Sequence, residues 1–392
     1  MKKRERNLRE MKRITLYLFS AIAFVVVLGI GLRLAWYFQK PQMLNIYILD
    51  KTVTQTDRKE HKSLVWLLNY FRIVGPDGNS YKHRIDYWGF FPIDIKHQLF
   101  DIKSMRLNEI DAYAAVYDAA YYADCYGVYS YEWYKTDSRV PNTSKVYGGL
   151  NQNDYLFLKR MKELGKLTIG EYNLFSSPTN ALIRSKTEDL FNTYWTGWSG
   201  KYCPDLSIIN RGKGAAEWMV KLYENQHQKP WPGNGSGIIL ISNDGLIEVL
   251  ENVSDISYDG VKLTPESAMR NRKNAPSEVD YFGWFDIVAA RNGSQTLATF
   301  KLEITPAGNE KLKMYGLPSQ FPAVIKSTPD KFCYYFAGDF AENSVSMFTS
   351  KLKGGKTFNR VLHLNSAQNP FFNNFYLHLI NDILSSYSAK QK

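Results

Sequence analysis

The chain has 392 residues, 44% apolar, 22% charged and 15% aromatic, with 27 Tyr and 9 Trp, ordinary for a globular protein except in its aromatic excess. Its net charge of +11 is partly local, since Lys2, Lys3, Arg4, Arg6, Arg9, Lys12 and Arg13 face only Glu5 and Glu10, which leaves a surplus of six for the other 379 residues. A surplus so thinly spread excludes a nucleic-acid partner, because such interfaces cluster Lys and Arg to displace counterions from phosphates.

After the basic tail, residues 14–32 form an uncharged run of 19 residues. As a helix at about 1.5 Å per residue it nearly matches a hydrocarbon core of about 30 Å. Arg33, Trp36, Tyr37 and Phe38 follow it, residue types that settle at the headgroup level. The run exceeds the apolar stretch of a cleaved signal peptide and no small-x-small site follows it, so an uncleaved anchor is expected. The positive-inside rule puts the amino terminus in the cytoplasm and the body in the bacterial periplasm or on the cell surface. The expected organisation is a cytoplasmic tail over 1–13, an anchor over 14–38 and an extracytoplasmic domain over 39–392, with a β-rich insertion at about 195–300.

Residues 44–49 read as a buried strand ending at Asp50, and 57–71 as a helix carrying Leu64, Leu67, Leu68 and Phe71 at helical spacing. Residues 113–122 read as a central strand, followed by a loop to about Val146. A capped helix starts near Asn153 and stops at Gly165, a strand covers 166–170, and a third helix covers 179–191. This alternation predicts an α/β fold with a mostly parallel sheet covered by helices. Past Trp195 strands dominate, at 236–242, 299–304, 322–326 and 331–336, before a closing helix over 371–387. The cysteines, Cys125, Cys203 and Cys333, lack the spacing of a zinc site and are expected to be buried free thiols. Neither a metal nor a cofactor is expected.

Residues 146–179, with Gly148-Gly149 before a helix, Gly165-Lys166 opening a strand and an elbow at Gly170, resemble the heart of class I glutamine amidotransferase-like domains. Residues 321–339 are similar to the closing hairpin of the trehalose-utilisation-type and beta-galactosidase-trimerisation-type members. The resemblance implies that fold without amidotransferase chemistry. Where the family's elbow holds cysteine, this chain reads Gly170-Glu171-Tyr172-Asn173-Leu174, and His363-Leu364-Asn365 lacks the acid of a His-x-Glu pair. Cys125 sits in a looser elbow-like context, but no helical period follows it.

If the sheet is parallel, Asp50, Asp118 and Glu171 lie at carboxyl ends of strands, where ligands bind. Asp118 and Glu171 are the expected catalytic pair, since two carboxylates about 5–10 Å apart suffice for glycoside hydrolysis. His61 opens the first helix as a titrating group, and Asn173, Thr179 and Arg184 flank the elbow and the third helix. Trp195, Trp198 and Trp284 offer flat faces for sugar rings. The resulting expectation is a membrane-anchored protein that binds or processes an envelope polysaccharide. The alternatives are a noncatalytic scaffold that meets a partner protein within a membrane complex, and a glycan hydrolase.

Overall fold

The computed structural model describes residues 2–134, 144–207, 215–270 and 275–391, so residues 135–143 of the loop expected before Val146 lie outside the described ones. Its first helix, α1 (Lys2–Tyr37), contains a 28-residue stretch, Glu10–Tyr37, whose most apolar 18 residues have a mean hydropathy of 2.4 and are not covered by the rest of the chain. It is long and apolar enough to cross a membrane. Its far end docks onto the body. Trp36 is buried, its indole Nε1 donates to the Asn69 carbonyl at 2.9 Å, and the Arg72 and Arg33 guanidiniums lie 4.5 and 4.9 Å over its ring.

The body begins with β1 (Ile46–Asp50), α2 (Lys59–Tyr70), β2 (Trp88–Asp94), β3 (Leu99–Lys103), α3 (Ile110–Val116), β4 (Ala119–Asp124), α4 (Gln152–Glu163), β5 (Leu167–Gly170) and α5 (Ala181–Phe191). It continues with β6 (Thr193–Cys203), α6 (Glu217–His227), β7 (Gly237–Ser242), β8 (Ile247–Glu251), β9 (Val261–Pro265), β10 (Val279–Tyr281), β11 (Trp284–Ala290) and β12 (Gln295–Lys301). Helix α7 (Pro306–Met314), β13 (Gln320–Lys326), β14 (Cys333–Phe336), α8 (Gly355–Leu362) and α9 (Leu377–Gln391) complete it, and a π-helical turn, Phe372–Tyr376, leads into α9.

The main sheet has ten strands in the order β10-β9-β12-β13-β14-β5-β4-β1-β2-β3. The five neighbours β14, β5, β4, β1 and β2 run parallel, whereas β3 and the four strands beyond β14 are antiparallel to their neighbours. The sheet is therefore mixed, not mostly parallel as the sequence pattern predicted. Parallel strands need a long crossover, which helices supply up to Phe191; beyond it, short connections favour antiparallel pairing. A second, fully antiparallel sheet, β8-β7-β6-β11, joins the first where Asp286 N donates to Ala337 O at 2.7 Å and Asp339 N to Trp284 O at 3.0 Å.

Side-chain alternation decides what covers each face of the parallel strands. Ile46 packs with Leu64 and Leu68 of α2 and Ile380 and Leu384 of α9. Tyr47 points to the other face and meets Phe157 of α4 at 4.7 Å between ring centres. Asn151 caps α4 by accepting from the backbone of Asn153 and Asp154, so the helix starts slightly earlier than the Asn153 read from sequence.

The expected strand over 113–122 is divided. Residues 110–116, with Ala114 and Ala115, wind as α3, and Asp118 accepts from Asn45 N at 2.7 Å before β4 begins. Asp118 therefore lies at the amino end of the sheet, and the tyrosines Tyr121 and Tyr122 carry the strand.

Candidate functional site at the carboxyl ends of the parallel strands

Strands β1 and β4 are adjacent and both end in aspartate. A register shift between Leu49 and Asp50 makes Asp50 the direct partner of Asp124, and Lys51 N donates to Asp124 O at 2.8 Å. A bulge of this kind re-aims a side chain, and here it places two carboxyls side by side on strands about 4.8 Å apart. Asp50 is fully buried and Asp124 nearly so. Burial, and then the Asp50 charge, push Asp124 up to about 8 against hydrogen bonds from Tyr126 N and Thr52. Asp124 therefore holds a proton at neutral pH.

Helix α2 delivers His61 to this pair. His61 Nδ1 lies 2.5 Å from Asp50 Oδ2, and Nε2 lies 2.7 Å from the His83 carbonyl. A carbonyl only accepts, so Nε2 carries hydrogen, and the short Nδ1–Oδ2 contact then holds one further proton shared by imidazole and carboxyl. Thr52 N donates to Asp50 Oδ1 at 3.0 Å, and the Tyr87 ring lies 4.6 Å from the imidazole. These contacts fix the dyad's orientation.

Directly after β5 comes Glu171, fully buried. It accepts from the Tyr121 hydroxyl and, at 3.1 Å, from Ala341 N; burial pushes its carboxyl well up, and Asp124 adds to the shift. The Tyr121 hydroxyl also meets that of Tyr376, at 2.8 Å, on the π-helical turn, an irregularity often found at functional sites. Asp339, after β14, is driven up by burial and by Glu342, Asp124 and Glu171. Glu60 is driven up by burial and by Asp50, Glu342 and Asp124. Asn173, at φ 68°, reaches Asp124 Oδ1 at 3.5 Å and accepts from Ser176 Oγ at 3.0 Å.

The parallel strands thus bring Asp50, Glu60, Asp124, Glu171, Asp339 and Glu342 into one electrostatic group, with Arg58 near its edge. The Arg58 guanidinium is buried, lies 5.8 Å from the Tyr87 ring and donates to Thr56 O at 2.6 Å. Among the described residues, no three His, Cys, Asp or Glu side chains are grouped so as to hold a metal ion.

Of the residues singled out from sequence, Asp50, His61, Glu171 and Asn173 meet here. Trp284 adjoins them, stacked on Tyr172 at 6.1 Å and 13°. Thr179 is buried beneath, its hydroxyl accepting from Leu150 N at 2.9 Å. Trp195 and Trp198 do not offer faces to a ligand: both are buried, and the Trp195 indole donates to Trp198 O at 2.9 Å, across the bulge at Gly197 that folds the rings into the core. Arg184 lies 5.7 Å over the Trp195 ring, so it serves that packing. Asp118 and Glu171 stand at opposite ends of the strands, roughly 16 Å apart by strand rise, too far for paired-acid hydrolysis. The cysteines are buried thiols, and burial pushes the Cys125 thiol well up, away from nucleophilic use.

Asp124, Asp339 and the buried Asp286 were not singled out from sequence. Asp286 accepts from Ser199 Oγ at 2.5 Å and Tyr335 OH at 2.6 Å and is pushed up to about 6 by burial. For Asp124 a signal existed, because Asp ends an apolar run there as it does at Asp50. Asp339 and Asp286 come from the β-rich half, and only the junction of the two sheets brings them in.

No family model matches the chain. None of the characterised proteins compared matches it either. Among solved structures it is similar to a ThuA-like protein from Bacteroides uniformis, with 10% sequence identity, 87% of this chain and 93% of the other covered, and a TM-score of 0.33. A likeness at that level carries no argument about activity.

Proposed function

We propose that the chain is an uncleaved, single-pass membrane protein whose extracytoplasmic body binds or processes an envelope polysaccharide at the carboxyl-end site. The observation that carries this reading is the Asp50–Asp124 register pair, with Asp50 sharing a proton with His61 and Asp124 pushed up to about 8. Neighbouring titratable groups set to different proton occupancies are how a site divides acid from base work. In this assignment Asp124 donates a proton to an oxygen of the ligand, and the Asp50–His61 pair, its protons already in place, keeps the neighbouring Asp50 carboxyl paired. Trp284 on Tyr172 supplies an apolar face beside the polar group, as sugar binding requires. Because the raised carboxyls hold their protons, the site presents hydrogen-bond donors and little net charge, and the ligand class is a neutral sugar.

The test uses the full-length chain in lipid nanodiscs on a glycan array, with Trp284→Ala and Asp124→Asn. Binding to neutral glycans is expected, weakened roughly tenfold in Trp284→Ala, a loss of about 1.4 kcal/mol. Asp124→Asn should bind and lose any turnover. The burial of Trp195 and Trp198 favours a second reading, a noncatalytic scaffold in a membrane complex. Absence of binding to every glycan would select it.

A further inference from the structure

Helix α8 is amphipathic in the inverted sense. Its inward positions are Gly355 and Asn359, both buried, with Asn359 Oδ1 accepting from Ser346 N at 2.8 Å. Its outward face carries Phe358, Val361 and Leu362, at the i, i+3, i+4 spacing of one helix face, exposed by 42%, 61% and 54%. Leu364 (65%) and Phe348 (66%) extend the same apolar surface at either end of the segment. A helix on a water-facing surface does the reverse, burying its apolar stripe and showing polar residues.

The position of this segment identifies what covers it. Lys353 N donates to the carbonyl of Leu32 at 3.1 Å, and Arg33 Nη1 donates to the Lys351 carbonyl at 3.2 Å. Leu32 is the last residue of the uncharged run in α1, so Lys353 sits where the hydrocarbon of a spanned bilayer would end. Helix α8 begins two residues later and is about 12 Å long at 1.5 Å per residue. Tyr37 and Phe38 are exposed at the same end of α1. Lys351 is lowered by burial and then by the nearby cations Arg33, Lys82 and Arg72, and Lys353 and Arg360 are exposed beside the apolar face. Apolar side chains at the acyl boundary with cations at headgroup level are the composition of an interfacial helix, and anionic headgroups complement these cations.

We propose that α8 and its flanks, residues 348–364, lie in the interface of the bilayer that α1 crosses, and form a second membrane contact that fixes the tilt of the body. The contact is separate from the carboxyl-end site and does not depend on what that site binds.

The test uses the full-length chain in vesicles of phosphatidylethanolamine and phosphatidylglycerol, with bimane attached at Val361→Cys or, separately, Phe358→Cys. The native cysteines are buried and do not compete for the label. Leu182→Cys, 63% exposed on the first turn of α5, is the reference at the other end of the sheet. The expected result is quenching by brominated acyl chains and loss of iodide quenching at both α8 positions, with the opposite pattern at Leu182→Cys. Iodide quenching at both α8 positions equal to that at Leu182→Cys would overturn the proposal. So would protection from both quenchers, which would mean that protein, not lipid, covers the face.

Discussion

Asp124 ties proton occupancy to stability in a direction that can be measured. Its folded pKa of about 8 exceeds the ordinary carboxylate range, so the folded chain keeps a proton that the unfolded chain has released. Stability then falls as pH rises from about 4 towards 8, at about 1.4 kcal/mol per pH unit for one retained proton. The Tm is expected to decline over that window. Asp124→Asn, a neutral isostere, should flatten the profile and raise the Tm near pH 8, with Glu60 and Asp339, shifted the same way, keeping part of the slope. An unchanged slope in Asp124→Asn would show that this carboxyl is ionised. Lys51 sits one residue past Asp50 and is held oppositely: burial opposes its charge, and Asp154 at 2.5 Å more than restores it. Its ammonium also donates to the Gly149 carbonyl at 3.0 Å, joining β1 to the cap of α4. Lys51→Met leaves the Asp154 charge buried without a partner, and a loss of about 3–5 kcal/mol is expected in denaturant unfolding. Asp50 and Glu171 were legible in the sequence because each ends an apolar run. Asp124 became their partner through a bulge that no local pattern announces.

At the level of elements, β1, α2, α4, β5 and α5 fall where the sequence signals put them, and α4 and α5 each start at an Asn cap, whereas β2 and β3 were not read. Helix α3 and strand β4 escaped because Ala and Tyr fill both, and only the Asp118 contact to Asn45 marks where one stops. The aromatic excess misled for a physical reason: β6 is bulged, and its Trp195 and Trp198 are buried, Trp195 under Arg184 of α5 and Trp198 against Tyr315 just after α7. The Gly148-Gly149 turn, by contrast, was read from sequence and has a steric cause. A Cβ on Gly148 would lie 2.5 Å from both the Gly127 Cα and the Tyr126 carbonyl, with φ at +143°, so two backbones cross where only glycine fits. Gly148→Ala is expected to cost about 2–4 kcal/mol, read as a lower denaturation midpoint with an unchanged m-value. It should also loosen the Lys51–Gly149 bond that the crossing supports. A stability equal to that of the parent chain would mean that the two backbones part without cost.

For the whole molecule, the seat of α1 decides which way the site faces. Helix α2 starts at the site, with Arg58 and His61, and ends beside Trp36, which accepts the Arg72 cation on its ring and donates to Asn69 O. Its 12 residues span about 18 Å, so the carboxyl-end site lies on the side of the body away from the end of α1. This orientation holds only if α1 is part of the fold and not a passive tether. Trp36, 3% exposed, is the residue that tests it. Trp36→Ala should lose about 3–5 kcal/mol of packing and speed amide exchange at the end of α2, whereas Trp36→Phe, which keeps a ring and loses the indole donor, should cost about 1 kcal/mol. Exchange at Asn69 to Arg72 unchanged in Trp36→Ala would mean that the body turns freely on its anchor, and the site would then have no fixed direction relative to the membrane.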